Sequence, residues 1–149
     1  MNWGLHKIWE LGDEYVLMME DDWYLEKPLD FIPYVRLLEN SRFGMIRMGY
    51  LSAGLQAKLI SEEGKLWWEF EKNNYQYIFT GHASLRHKRF HEVYGYYKEG
   101  LTPGFTELDM CAKFNAKDGP SIVFPAEYNH WGAFSHIGTR SLADTEVGS

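Results

Sequence analysis

Between residues 3 and 51 the apolar residues alternate between a helical and a strand period, and this alternation restricts the chain to few architectures. Leu5, Ile8 and Trp9 recur at helical spacing over 3–11, and Gly12 marks a stop. Tyr15 to Met19 is short, apolar and uninterrupted, which suits a strand covered on both faces. Asp30 can cap a second helix with Pro33 in its first turn and Phe31, Val35 and Leu38 on one side, ending near Asn40. The run "FGMIRMGYL" (43–51) then reads as a second buried strand. Helix, strand, helix, strand is the order of an α/β layer.

The middle of the chain changes character. "QAKLISEEGKLWWEFEK" reads as two strands joined by a turn at Glu62, Glu63 and Gly64. "NYQYIFT" (74–80) is a further strand candidate closed by Gly81. A short helix over Lys88–Tyr94 would turn Phe90, Val93 and Tyr94 inward and stop at Gly95. "LTPGF" has the chemistry of a loop, and Thr106 can cap a helix running to about Lys117. "SIVFP" is one more short strand, and the small polar residues 141–149 are expected to fray as a tail to a single domain over 1–140. No repeat and no dividing linker interrupts the 149 residues.

Bulk properties exclude several classes of function. Hydrophobic residues at 45% and charged residues at 24% fit a globular core. A net charge of −6 disfavours nucleic acid as a partner. The lone Cys111 cannot form an intrachain disulfide and fits a reducing compartment. No apolar run is long enough for a transmembrane segment, and the first residues lack a secretory signal's apolar centre, so a cytoplasmic location is expected, with peripheral membrane association compatible. Aromatics reach 17%, which serves core packing and also suits stacking on sugar rings.

The chemistry gathers where "YVLMM" runs into Glu20, Asp21 and Asp22. Two unit charges about 4 Å apart repel by roughly 1 kcal/mol in water and roughly 4 kcal/mol at an effective dielectric near 20. The cluster therefore needs hydration, a proton or a cation. Carboxylates at the C-terminal end of a strand suit Mg²⁺ or Mn²⁺, which bridge readily to a diphosphate. The plain alternative is a solvated acidic turn.

"YVLMMEDDW" followed by "PLDFIPYVRLLEN" resembles the acidic metal motif, and the helix after it, of glycosyltransferases with the GT-A fold. "TGHASLRHKRFHEVYGYY" is similar to the segment in which a glycine turn leads to a basic helix, and "TELDMCAKF" to the acidic motif opening the next helix in the family 2 enzymes. "NWGLHKIWELGDEY" is similar to the helix before the metal strand. The resemblance, over about 2–117, implies a partial GT-A-like α/β fold, a mixed sheet with flanking helices, and metal-dependent, inverting transfer from a nucleotide-sugar donor to a carbohydrate acceptor.

Carried over by position, the resemblance makes Glu20 and Asp22 the metal ligands, Glu107 the catalytic base and Asp109 the later acid. Asp21, Arg86 and Arg89 are candidates for the cofactor's diphosphate, along with His82, His87 and Lys88 in the same basic segment. His136 or His130 would supply a late histidine to the metal or diphosphate. Thr106 and Glu107 depart from the family's usual acids, and Thr106 with Asp109 also approximates a capping box. Trp67 and Trp68 must face opposite sides of one strand, one to the core and the other available to an acceptor groove.

Only about fourteen residues precede the metal strand, so the chain resembles the catalytic half of such an enzyme without its nucleotide-binding half. A sheet lacking its early strands would expose an edge, and a homo-oligomer covering it is expected. The rival expectations are a non-catalytic carbohydrate- or partner-binding remnant and a metal-dependent phosphoryl hydrolase.

Overall fold

A computed structural model of the chain describes residues 2–51, 56–72, 78–128 and 132–137. The expected tail 141–149, His130 and residues 74–77 of one expected strand lie outside them. In chain order the elements are α1 (Asn2–Glu10), β1 (Tyr15–Met18), β2 (Trp23–Leu25), α2 (Ile32–Glu39), β3 (Phe43–Arg47), β4 (Ala57–Glu62), β5 (Lys65–Phe70), β6 (Ser84–His87), α3 (Lys88–Tyr94), α4 (Pro103–Ala116), β7 (Ser121–Pro125) and β8 (Phe134–His136). The protein is α/β: a mixed six-stranded sheet in the order β1-β6-β3-β7-β5-β4, with a two-stranded ribbon of β2 and β8 and flanking helices. None of the described helices is long and apolar enough to cross a membrane.

Strand alternation divides the core into two layers. Ile46 and Val123 pack with Tyr34, Leu37 and Leu38 of α2 on one face. Met45, Ile122 and Phe124 pack with Phe90 and Tyr94 of α3 and Met110, Cys111 and Phe114 of α4 on the other. Neighbours along a strand point to opposite faces, so a continuous apolar run such as "SIVFP" feeds both layers. The adjacent tryptophans obey the same rule: Trp67 is buried in the first layer, and Trp68 packs against the second. The cleft described below is built from other residues, so neither tryptophan forms the groove expected of the pair.

Three sequence expectations are corrected. β1 does not lie within the sheet but at its edge, paired only with β6 among the described strands; Leu17 is 41% and Met19 48% exposed. The strand entering from the glycine turn is Ser84–His87, not residues 78–80. Its alternation of Ser, Leu, Arg and His hides a strand whose Ser84 and Arg86 are buried. The "LTPGF" loop is instead the start of α4, with Thr102 at the N-cap and Pro103 in the first turn. Proline's fixed φ and missing N–H are tolerated there, where the N–H would have no helical partner. This moves Glu107 and Asp109 out of the first turn, which holds no acid. Thr106 caps nothing, and its hydroxyl donates to the Thr102 carbonyl at 3.0 Å within the helix.

β1, β3 and β7 run parallel, with β6 antiparallel between β1 and β3. The residues after β1, the residues after β3 and the residues before β6 therefore meet at one end of the sheet.

Candidate functional site

Glu20 to Trp23 form a tight turn between β1 and β2, closed by the Trp23 N–H to the Glu20 carbonyl at 3.3 Å. β2 then pairs with β8 so that Trp23 faces His136. That register brings the late histidine to the acids: His136 Nε2 lies 2.6 Å from Asp22 Oδ2. The Ile137 N–H donates to the Asp22 carbonyl at 3.0 Å and fixes the ribbon's end. Lower in the ribbon, the Ser135 hydroxyl donates to Glu26. The other oxygen of Asp22, Oδ1, is buried and has no hydrogen-bond partner among the described residues.

Glu107 arrives from the second turn of α4. Its Oε1 accepts the Gly81 N–H at 3.1 Å. A Cβ at Gly81 would stand 2.5 Å from Glu20 Oε1 and 3.1 Å from Glu107 Oε1. Only a residue without a side chain lets these two carboxylates converge over its backbone. The Glu20 carboxyl is held above the usual carboxylate range, first by partial shielding from water and then by repulsion from Asp22 and Glu107. Asp21 is exposed at the tip of the turn.

Beneath the acids lies an aromatic and imidazole cluster. Trp23 is buried, with its ring 4.7 Å from that of His82, 5.8 Å from that of Tyr50 and 5.2 Å from that of His136. Burial, then the neighbouring Arg47 cation, push the His82 imidazole down to about 3, so it is neutral at physiological pH. Arg47 is fully buried and donates to the carbonyls of Ile78 and Tyr50 at 3.2 and 3.3 Å. Gly132, at φ +71°, allows the β8 backbone to close on this cluster; a Cβ there would run into the carbonyls of Met48 and Gly49. Arg47, Tyr50, Gly81 and Trp23 were not singled out by the sequence as site residues. Their only signal was a glycine ending an apolar stretch.

Glu20 and Glu107 line a cleft of about 580 Å³, whose wall also includes Leu17, Met19, Leu101, Tyr97 and Arg86. Arg86 lies opposite Val16 in the β1–β6 register. Glu20 is four residues beyond Val16, about 14 Å of extended chain. Its side chain, that of Arg86, reaches back along β6, with Nε donating to the Ser84 hydroxyl at 3.0 Å, and Ser84 lies opposite Met18.

The remaining sequence candidates are placed elsewhere. Arg89 donates to the Leu38 and Phe43 carbonyls at 2.8 and 2.7 Å, tying α3 to α2 and β3. Asp109 pairs with Lys113 at 2.9 Å, and Lys113 also donates to the Tyr96 carbonyl at 2.6 Å. His87 accepts the Arg89 N–H at the start of α3, and Lys88 pairs with Glu92 at 3.5 Å.

Among the described residues no group of three or more Asp, Glu, His or Cys side chains is arranged to hold one metal ion. The nearest approach to such a site is Asp22 with His136, and Glu20 across the turn. Mg²⁺ and Mn²⁺ are commonly held by one or two carboxylates, with water and substrate phosphates completing the shell. The unbonded Asp22 Oδ1 and the crowded Glu20 carboxyl suit that incomplete kind of site. The chain matches no known family profile and no curated protein.

Proposed function

We propose that the protein is the catalytic portion of a metal-dependent, inverting glycosyltransferase of GT-A-like architecture. The observation that carries this reading is the meeting of Glu20 and Glu107 over Gly81 in the wall of one cleft, with Asp22 and its partner His136 beside Glu20. Glu20 and Asp22 would hold Mn²⁺ or Mg²⁺, with His136 orienting Asp22 through its 2.6 Å contact. Bound there, the metal would supply charge neutralisation for the departing nucleoside diphosphate.

Glu107 serves as the base. Its Oε1 is fixed by the Gly81 N–H, which leaves Oε2 to take the proton of an acceptor hydroxyl as that oxygen attacks the anomeric carbon. A base delivered by a rigid helix and anchored by a backbone N–H meets the demand for a positioned proton acceptor. Trp23, Tyr50 and neutral His82 pack beneath the acids without adding charge. The open edge at β1, with Leu17 and Met19 exposed, supports a homo-oligomer that covers it; a monomer by light scattering at micromolar concentration would argue against that contact.

The test is transfer from sugar nucleotides to carbohydrate acceptors in Mn²⁺. Turnover with inversion at the anomeric carbon is expected, lost about 100-fold or more in Glu107→Gln while Mn²⁺-dependent nucleoside diphosphate binding survives. Phosphate release that needs no acceptor would replace this reading with a hydrolase. Sugar binding indifferent to metal and to Asp22→Ala would replace it with a non-catalytic carbohydrate module.

A further inference from the structure

Arg86 is 1% exposed, yet it lines the cleft together with Phe79 and Tyr97, whose rings flank its guanidinium. Its protein partners are all neutral. Nε donates to the Ser84 hydroxyl at 3.0 Å, and Nη1 donates to His91 Nε2 at 3.0 Å and to the Tyr97 hydroxyl at 2.7 Å. His91 cannot share the charge burden in any other way: its Nδ1–H is spent on the Gly95 carbonyl at 2.9 Å, which leaves Nε2 as the acceptor. The rings of Phe79 and Tyr97 lie 4.8 and 5.9 Å from the guanidinium carbon. Among the described residues no carboxylate pairs with Arg86, and Nη2 donates to no protein acceptor. A buried cation without a counter-charge is costly, and a guanidinium matches the geometry of a two-oxygen anion.

We infer that Arg86 is an oxyanion-recognising residue in the wall of this cleft, and that the acceptor bound there carries a carboxylate or phosphate group on an otherwise uncharged body. The apolar side chains of Leu17, Met19 and Leu101 line the wall that this body would cross. Up to about 14 Å of extended chain separates Val16, opposite Arg86, from Glu20. That span lets one ligand place an anion on Arg86 and a hydroxyl near Glu107. The acceptor role rests on the glycosyl-transfer reading. The anion site itself does not, because it requires neither metal nor donor.

The experiment is equilibrium binding of 4-nitrophenyl glucuronide, 4-nitrophenyl glucoside and 4-nitrophenyl phosphate to the full chain, without metal or nucleotide. At least one anionic probe is expected to bind about tenfold or more tightly than the glucoside, and whichever anion prevails identifies the source as carboxylate or phosphate. Arg86→Gln is expected to erase that preference. Should this variant fail to fold, Leu101→Glu decides. It places a carboxylate at the cleft wall and is expected to lower the ratio of anionic-probe to glucoside affinity about tenfold, whatever it does to both; an unchanged ratio would overturn the inference. Equal binding of charged and neutral probes by the wild type, or a preference that survives folded Arg86→Gln, would overturn the inference. Loss of glycosyl transfer with the anion preference intact would overturn only the catalytic reading.

Discussion

Two glutamates at opposite edges and opposite ends of the sheet experience opposite surroundings. Towards the β4 edge, Glu69 of β5 is 5% exposed and lies 2.6 Å from Arg42 and 3.3 Å from Lys58. Burial alone would raise its carboxyl, but hydrogen bonds from Arg42, Ser121 and Lys58 outweigh that, and the net shift is downward. At the β1 edge, Glu20 stands among Asp22, Glu107 and Asp21, and its carboxyl is shifted upward. His136 offsets part of this repulsion, while Arg86 is engaged with Ser84, His91 and Tyr97 and Arg89 is tied to backbone carbonyls. One edge has its charges settled within the protein. At the other the Glu20 carboxyl keeps a net upward shift, and Arg86 has no carboxylate partner among the described residues.

The comparison can be broken most forcefully with acid, at the uncompensated edge. Burial, then the Arg86 cation, lower the His91 imidazole to about 4; His6 and Lys113 add to the effect, and its hydrogen bond to the Gly95 carbonyl opposes it. The unfolded chain takes up this proton near pH 6.5, whereas the folded chain resists it until about pH 4. Stability should therefore fall as pH drops through that window, by up to about 3 kcal/mol. Urea midpoints measured across it should show the loss, and a flat profile would mean that the Arg86–His91 pair is not sealed as described.

The next largest effect belongs to the compensated edge. Glu69→Gln removes a buried carboxylate from two cations and should cost about 2 kcal/mol at neutral pH, discounted because Arg42 and Lys58 are themselves half-exposed. Since the Glu69 carboxyl is lowered on folding, its contribution is present above the ordinary glutamate range and fades as pH falls through it. That window lies below the one set by His91. The same substitution at Glu20 should have the opposite sign. Glu20→Gln relieves like-charge repulsion at an exposed position and should shift stability by no more than about 0.5 kcal/mol, towards stabilisation. Two losses of similar size would erase the distinction between the edges.

The contrast was only partly visible in the sequence. The acidic turn and the α/β alternation were legible because charge clusters beside apolar runs and helical spacing are local signals, whereas Glu107 was named only through the resemblance of its helix motif. The edge position of β1 was not, since "YVLMM" carries no mark of how many strands flank it. β2 and β8 are three residues each, too short for alternation to register, yet their pairing is what places His136 on Asp22. Arg86 looked like part of a basic helix face because His87, Lys88 and Arg89 follow it. In the fold it sits one residue before the end of β6 and points its charge into a neutral pocket. Gly81 read as a strand terminator, and its role in letting Glu20 and Glu107 approach is a property of three segments together.

Gly81→Ala would sharpen the account further. The added methyl would press on both carboxylates and should reduce transfer about 100-fold with a smaller effect on stability. The most direct test is the thermal midpoint of wild type and Glu20→Gln with Mn²⁺ plus a nucleoside diphosphate, each also added alone. A ligand bound only by the folded state raises that midpoint. Wild type should rise by several degrees only when both are present, and Glu20→Gln should not. Equal shifts in the two proteins, or none in wild type, would contradict the claim that these acids await a cation.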